Sequence, residues 1–169
     1  MLISLTNTHK IEARKLKTNA HNRIFYSNET KYKDLYYNPN LVDLANKFVD
    51  TICTKFDFSL QLLGSEKHPT MYTLDPVNTI VVKDTQKNLK STLIHELGHH
   101  VWHKIISEPH KIKIMQVCSA NEVDPNEQFA SCVEYYLTGR CKRFQSKDSK
   151  VSKELASRIK PVIRGYFSI

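Results

Sequence analysis

Apolar positions along the chain follow two periods. Leu41, Leu44, Ala45, Phe48, Val49 and Ile52 recur at the spacing of one helix face, and Pro39 suits a first turn, so a helix is predicted over 40–54. Strand-like pieces follow. Phe56–Leu63 alternates, Thr70–Leu74 is short and β-favouring, and Asn78–Val82 is a β-branched run. Asp75-Pro76 is a turn signal, so the last two pieces read as a hairpin. The helical period returns most strongly over 88–106, through Leu89, Thr92, Leu93, Glu96, Leu97, His100 and Val101, and Pro109 closes it. Residues 111–125 read as a basic connection. Asn126 is placed to cap a helix over Glu127–Leu137, with Gly139 as its stop. A terminal helix is predicted over Lys150–Phe167, interrupted at Pro161.

Residues 1–37 are polar and basic with weak periodicity and are expected to form an arm or loosely ordered region, with 38–169 as the folded domain. A chain of 169 residues with 40% hydrophobic positions supports one core and no second catalytic domain. The apolar runs are too short to span a membrane. The start, MLISLTNTHK, lacks the basic and apolar regions of a signal peptide, so a cytoplasmic location is expected. There are four cysteines, Cys53, Cys118, Cys132 and Cys141, and none forms a CxxC pair, which fits free thiols in a core. With only four glycines there is no phosphate-cradling loop. The net charge of +8 suits simple solubility, or an anionic neighbour such as nucleic acid, an acidic protein or a capsid interior.

The chemistry concentrates in His95-Glu96-Leu97-Gly98-His99, an HExxH pattern on the strongest predicted helix. Residues four apart share one helix face, so both imidazoles reach a single zinc ion. Glu96, beside the first histidine, reaches the metal-activated water as a general base without being a ligand. Gly98 stands where a bulkier residue would crowd a neighbouring element. The competing reading is a purely structural helix, which rarely needs two histidines and a glutamate around one turn.

A catalytic zinc takes a third protein ligand and keeps an open position. His103 lies about 80° round the helix from His95, and a straight helix cannot bring it back to the ion. His110, after Pro109, could sit on a loop. Glu122 and Glu134 are further candidates. Glu127 fits best, as a carboxylate on a second helix packed against the first; as a structural residue it would be an acid favoured by the helix dipole. Tyr72, Tyr135 and Tyr136 are candidates to stabilise a developing oxyanion, but each also reads as a half-buried aromatic. Trp102 reads as core.

Thr92 to His100, followed by Asn126-Glu127-Gln128-Phe129-Ala130, resembles the small gluzincin metallopeptidases, which include phage-encoded metallopeptidases and the catalytic domain of anthrax lethal factor. In that family the helix after HExxH carries a pattern close to E-x-F-A-E, and its first Glu is the third zinc ligand; carried over, this is Glu127. Ser131 stands where the second acid would be, which puts the clamp that the resemblance implies on a zinc-bound histidine in doubt, though not the ligand itself. The strand pair around 71–74 and 78–82 is similar to the family's. ImmA/IrrE-type peptidases are similar too, though their second signature is only partly matched. The resemblance covers about 55–140.

The resemblance implies an α+β, zincin-like minimal metallopeptidase, with a short, mostly antiparallel sheet packed on the HExxH helix. It implies hydrolysis of a protein or peptide substrate, with His95, His99 and Glu127 holding Zn2+ and Glu96 as base. An edge strand, Thr70–Leu74 or Asn78–Val82, could pair with an extended substrate. Two alternatives stand beside it. One is a structural component of a virion or other protein assembly with little or no activity; the other is a regulatory peptidase that cleaves a repressor and works near nucleic acid.

Overall fold

The computed structural model describes residues 35–48, 60–74, 78–141 and 149–167. They form an α+β arrangement of four strands and five helices: β1 (Leu35–Tyr37), α1 (Pro39–Phe48), β2 (Gln61–Ser65), β3 (Met71–Thr73), β4 (Thr79–Lys83), α2 (Leu89–Lys104), α3 (Glu108–Ser119), α4 (Pro125–Thr138) and α5 (Ser149–Ile163). The predicted residues 49–59 of the first helix and first strand, and the Asp75-Pro76 turn, lie outside the described residues. Residues 1–34 of the expected arm lie outside them as well, while Leu35–Tyr37 is a strand of the sheet.

The sheet order is β1-β2-β4-β3. β3 and β4 pair antiparallel, as the hairpin reading expected, with Tyr72 opposite Ile80. β1 pairs antiparallel with β2, but β2 and β4 run parallel, with Leu63 opposite Val81. The sheet is therefore mixed, with two of its three pairings antiparallel and the central one parallel. After β2 the chain crosses to the far side of β4, lays down β3 at the edge, and returns through the hairpin into the middle. β3 thus borders the sheet beside the helices.

Alternation divides the central strands between two faces. Leu62, Ile80 and Val82 join the main core with Leu93, Ile94, Leu97 and Val101 of α2. Leu35, Leu63 and Val81 cluster on the reverse face against Tyr37. Gly64 lies opposite Tyr36, whose ring would stand 2.3 Å from any added Cβ, so only glycine admits that ring.

Two local departures from the sequence reading have clear causes. The connection expected over 111–125 is mostly the helix α3, opened by Pro109 in its first turn. Only Ile114 and Cys118 are buried on it, whereas Ile112 and Met115 are exposed, which blurs the periodic signal. The cap of α4 is Asp124, whose side chain accepts the Glu127 N–H at 2.8 Å, and not Asn126. Gly139 does end α4, in the left-handed region at φ 72, with its N–H donated to the Tyr135 carbonyl. The last helix ends at Ile163 and carries Pro161 inside it; Tyr166 and Phe167 continue into the core.

α2 is the centre of the molecule, lying between the sheet and α4. Nine consecutive or near-consecutive residues from Leu93 to Trp102 are buried on it, polar ones included, so it lacks a solvent face through its middle. Its closest neighbour is α4. The two backbones approach at Gly98, where an added Cβ would lie 2.8 Å from Ala130 Cα. Further along, Phe129 is fully buried between Trp102 and Phe167, at ring separations of 5.7 and 6.4 Å. Burying a ring of this size contributes about 1.5–3 kcal/mol.

Gly98→Ala separates the two demands on this position. Alanine improves helix propensity by about 1 kcal/mol, but overpacking against a backbone atom costs about 1–3 kcal/mol. We expect a net loss of stability, read as a lower urea midpoint; a midpoint at or above that of the unsubstituted protein would show that α2 and α4 part without cost.

Candidate metal centre

Positions 95 and 99 project from the same face of α2, and position 127 projects from the first turn of α4. The Gly98–Ala130 approach brings these faces together. His95 Nε2 lies 3.5 Å from Glu127 Oε2, and His99 Nε2 lies 3.4 Å from Glu127 Oε1. One ligand atom from each of the three residues falls within 4.8 Å of the others. The imidazoles meet edge to face, 4.9 Å between centroids.

The other nitrogen of each ring decides what these atoms can do. His95 Nδ1 lies 3.2 Å from Glu134 Oε2, and an ionised carboxylate only accepts, so Nδ1 carries the proton. His99 Nδ1 donates to Asn126 Oδ1 at 2.8 Å. In the neutral rings both Nε2 atoms are therefore lone-pair donors aimed at a carboxylate. Three electron-pair donors that converge in this way could hold a metal ion, and two imidazoles with one carboxylate suit zinc.

The supporting residues form a connected set. Glu134 also accepts from the Ser91 hydroxyl. Asn126 Nδ2 donates to His103 Nε2 at 3.1 Å, and His103 stacks on Tyr72 at 5.7 Å. Tyr72 places its hydroxyl 3.2 Å from Asn78 Oδ1 and 3.3 Å from His100 Nδ1. Its backbone N–H donates to Glu96 Oε2 at 2.8 Å, which ties the carboxyl of α2 to the border strand β3. Asn126 is available for His99 because Asp124 does the capping.

Electrostatics differ sharply among these groups. Burial raises the Glu96 carboxyl to about 7, against the lowering pull of His95 and of the Tyr72 N–H. Burial acts to lower His95, but its bond to Glu134 and the charges of Glu96, Glu134 and Glu127 outweigh this and raise it. Burial lowers His99, against its bond to Asn126. Burial alone would raise Glu134; its bonds to His95 and Ser91 prevail and lower it. A carboxyl poised near neutrality beside two imidazoles is equipped to take and return a proton.

The residues named from sequence divide clearly. His95, Glu96, His99 and Glu127 come together around a cleft of about 270 Å³ that Tyr72 and His103 also line. His103 is not a third ligand but holds Asn126. His110 is bonded instead to the Tyr166 hydroxyl at 2.8 Å. Glu122 is exposed on the loop before α4, at φ 54. Glu134, weighed as a ligand, holds His95. Of the three tyrosines, Tyr72 lines the cleft, whereas Tyr135 and Tyr136 pack against each other and the core. Asn126 and the Tyr72 amide were not anticipated; nothing in the spacing marks an amide side chain, and a backbone N–H has no sequence signal. Cys118, Cys132 and Cys141 are buried thiols that form no disulfide among the described residues, and burial pushes the Cys118 thiol up to about 11. Among the described residues, no helix is long and apolar enough to cross a membrane.

No protein-family model matches this chain, and no curated protein or solved structure matches it either. The site is read from its own geometry.

The opposite shifts of the two imidazoles can be measured directly. In metal-free protein, ring-resonance NMR titration should give His95 a midpoint above that of an ordinary histidine and His99 one below. Glu134→Gln should bring the His95 midpoint down and leave His99 below the ordinary value. Coincident midpoints in the unsubstituted protein would contradict the arrangement.

Proposed function

We propose that the protein is a zinc-dependent metallopeptidase of zincin-like fold. The observation that carries this reading is the convergence of His95 Nε2, His99 Nε2 and the Glu127 carboxylate, with both Nδ1 atoms committed elsewhere and Glu96 alongside. His95, His99 and Glu127 would hold the ion. A bound zinc would polarise the scissile carbonyl and make a water nucleophilic near neutral pH.

The remaining work belongs to the chain. Glu96 is the base that takes the proton of the attacking water and returns it to the leaving amine. Its position is fixed from both sides, by α2 and by the Tyr72 N–H. In the metal-free protein burial holds this carboxyl up at about 7, and a bound cation would favour its ionised, proton-accepting form. Glu134 and Asn126 hold the imidazoles in the tautomer and rotation that present Nε2 to the ion. The edge strand β3 borders the cleft and would flank an extended peptide there, with its Tyr72 N–H kept by Glu96. Tyr72 lines the same cleft, with its hydroxyl turned to Asn78 Oδ1 and His100 Nδ1.

The test begins with bound metal. Elemental mass spectrometry is expected to find one zinc per chain, lost or much weakened in Glu127→Ala. Glu96→Gln should keep the zinc and lose peptide hydrolysis by about 10²-fold or more. Unchanged cleavage by Glu96→Gln would overturn the role of Glu96. Zinc in the unsubstituted protein with no turnover on any peptide would favour a metal that only ties α2 to α4.

The residues behind the ligands give a separate prediction. Glu134→Ala touches no ligand atom aimed at the ion, yet it frees the His95 ring to turn. Zinc affinity should fall about 10–100-fold, measured by competition with a chromophoric chelator. An affinity within twofold of the unsubstituted protein would show that His95 is held by packing alone.

A further inference from the structure

A second and larger cavity, about 940 Å³, opens on the other side of His95 and Glu127. Its size is that of a ligand pocket. His95 and Glu127 border both this cavity and the cleft under β3, so a chain lying across the metal centre would enter the two from opposite sides. Glu127, Ser131, Glu134 and Thr138 line it from α4, at the spacing of one helix face.

The lining is cationic. Lys87, Lys90 and Arg140 all border the cavity. Its two carboxylates are turned onto the imidazoles: Glu134 bonds His95 and Ser91, and Glu127 faces His95 and His99. The first turn of α2 enters the same space, through Leu89, Lys90 and Ser91. Its cap, Asn88, lies in the left-handed region at φ 54 and makes no side-chain cap bond, so the positive end of the α2 dipole meets the cavity without a capping oxygen.

One buried polar atom points to what belongs there. Ser131 is fully buried, and its hydroxyl has no hydrogen-bond partner among the described residues. It sits on the cavity face of α4 between Glu127 and Glu134. A buried hydroxyl without a partner is costly, and a ligand atom that accepts from it removes the cost.

We propose that this cavity binds a carboxylate of the peptide substrate, from an acidic side chain or from the chain end, beside the bond to be cut. Ser131 donates to it, the first turn of α2 offers its N–H groups, and Lys87, Lys90 and Arg140 supply the charge. This substrate class rests on the metallopeptidase reading, but carboxylate binding does not need the metal and can be tested without turnover.

The test uses the full chain in a Glu96→Gln background, first metal-free and then zinc-loaded. The probes are four blocked tripeptides: Ala-Asp-Ala amide, Ala-Asn-Ala amide, Ala-Ala-Ala with a free carboxylate, and its amide. Binding is followed by the backbone NMR resonances of Leu89 to Ser91. At least one acid is expected to bind about tenfold more tightly than its matched amide, and the tighter of the two acids tells side chain from chain end. Lys87→Ala, Lys90→Ala and Arg140→Ala combined should abolish the preference, and so should Arg140→Glu alone. Acids and amides that bind alike, or a preference that survives the triple substitution, would overturn the proposal. A preference that persists in a protein that retains no zinc would uphold the cavity and count against the metallopeptidase reading. Ser131→Ala should weaken the preferred acid severalfold while leaving the melting temperature unchanged or higher, because it deletes an unpartnered buried hydroxyl. Equal affinity would remove Ser131 from the site.

Discussion

The approach of α2 to α4 at Gly98 is the constraint on which the rest of the structure depends. Two helices with ordinary side chains at their crossing stand 8–10 Å apart. Here one helix offers no Cβ, and the other offers only Ala130. The closeness sets the positions of the polar side chains around it. His95 and His99 flank Gly98 on α2, and Glu127 lies three residues before Ala130 on α4. A carboxylate is short, and it faces two imidazoles at 3.4 and 3.5 Å only because the backbones behind them are in contact. Packing and the His95–His99–Glu127 geometry are therefore one property, and Phe129, buried between Trp102 and Phe167, secures it from the core side.

The polar groups around that crossing are arranged with unequal partners. His95 is backed by a carboxylate and His99 by an amide. The carboxylate favours a charged ring and raises His95, while the amide leaves burial in control and His99 is lowered. The pair thus avoids two adjacent positive rings, which would repel each other. Glu96 is handled in the opposite way, buried with a single backbone N–H on one oxygen. That combination holds the carboxyl still without fixing its charge.

The sequence made much of this legible, unevenly. HExxH on a strong helix and Glu127 in the first turn of a later one, α4, are signals of spacing, and spacing survives folding. The hairpin was legible because β-branched runs flank a turn dipeptide. The parallel pairing of β2 and β4 was not, because nothing local tells a strand which neighbour it will have. α3 was missed because Ile112 and Met115 face outward and leave only Ile114 and Cys118 to mark its buried side. Ser131, read as the loss of an acid that would clamp a histidine, concealed that Glu134, one turn further along α4, occupies that role. Helical spacing allowed either position, and only the three-dimensional approach of α4 to Ser91 and His95 decides between them.

Asp124 has a consequence beyond helix stability. Helix ends open and close far more often than their middles, and Glu127 lies in the first turn of α4. A ligand there is present only for the fraction of time that its turn is closed. Asp124 bonds the backbone of Glu127 itself, and Pro125, the next residue, has its own φ fixed in the helical range. A cap of this kind contributes about 1 kcal/mol, which is about fivefold in the ratio of closed to frayed turns. The cap therefore sets the fraction of time for which the Glu127 carboxylate stands against His95 and His99.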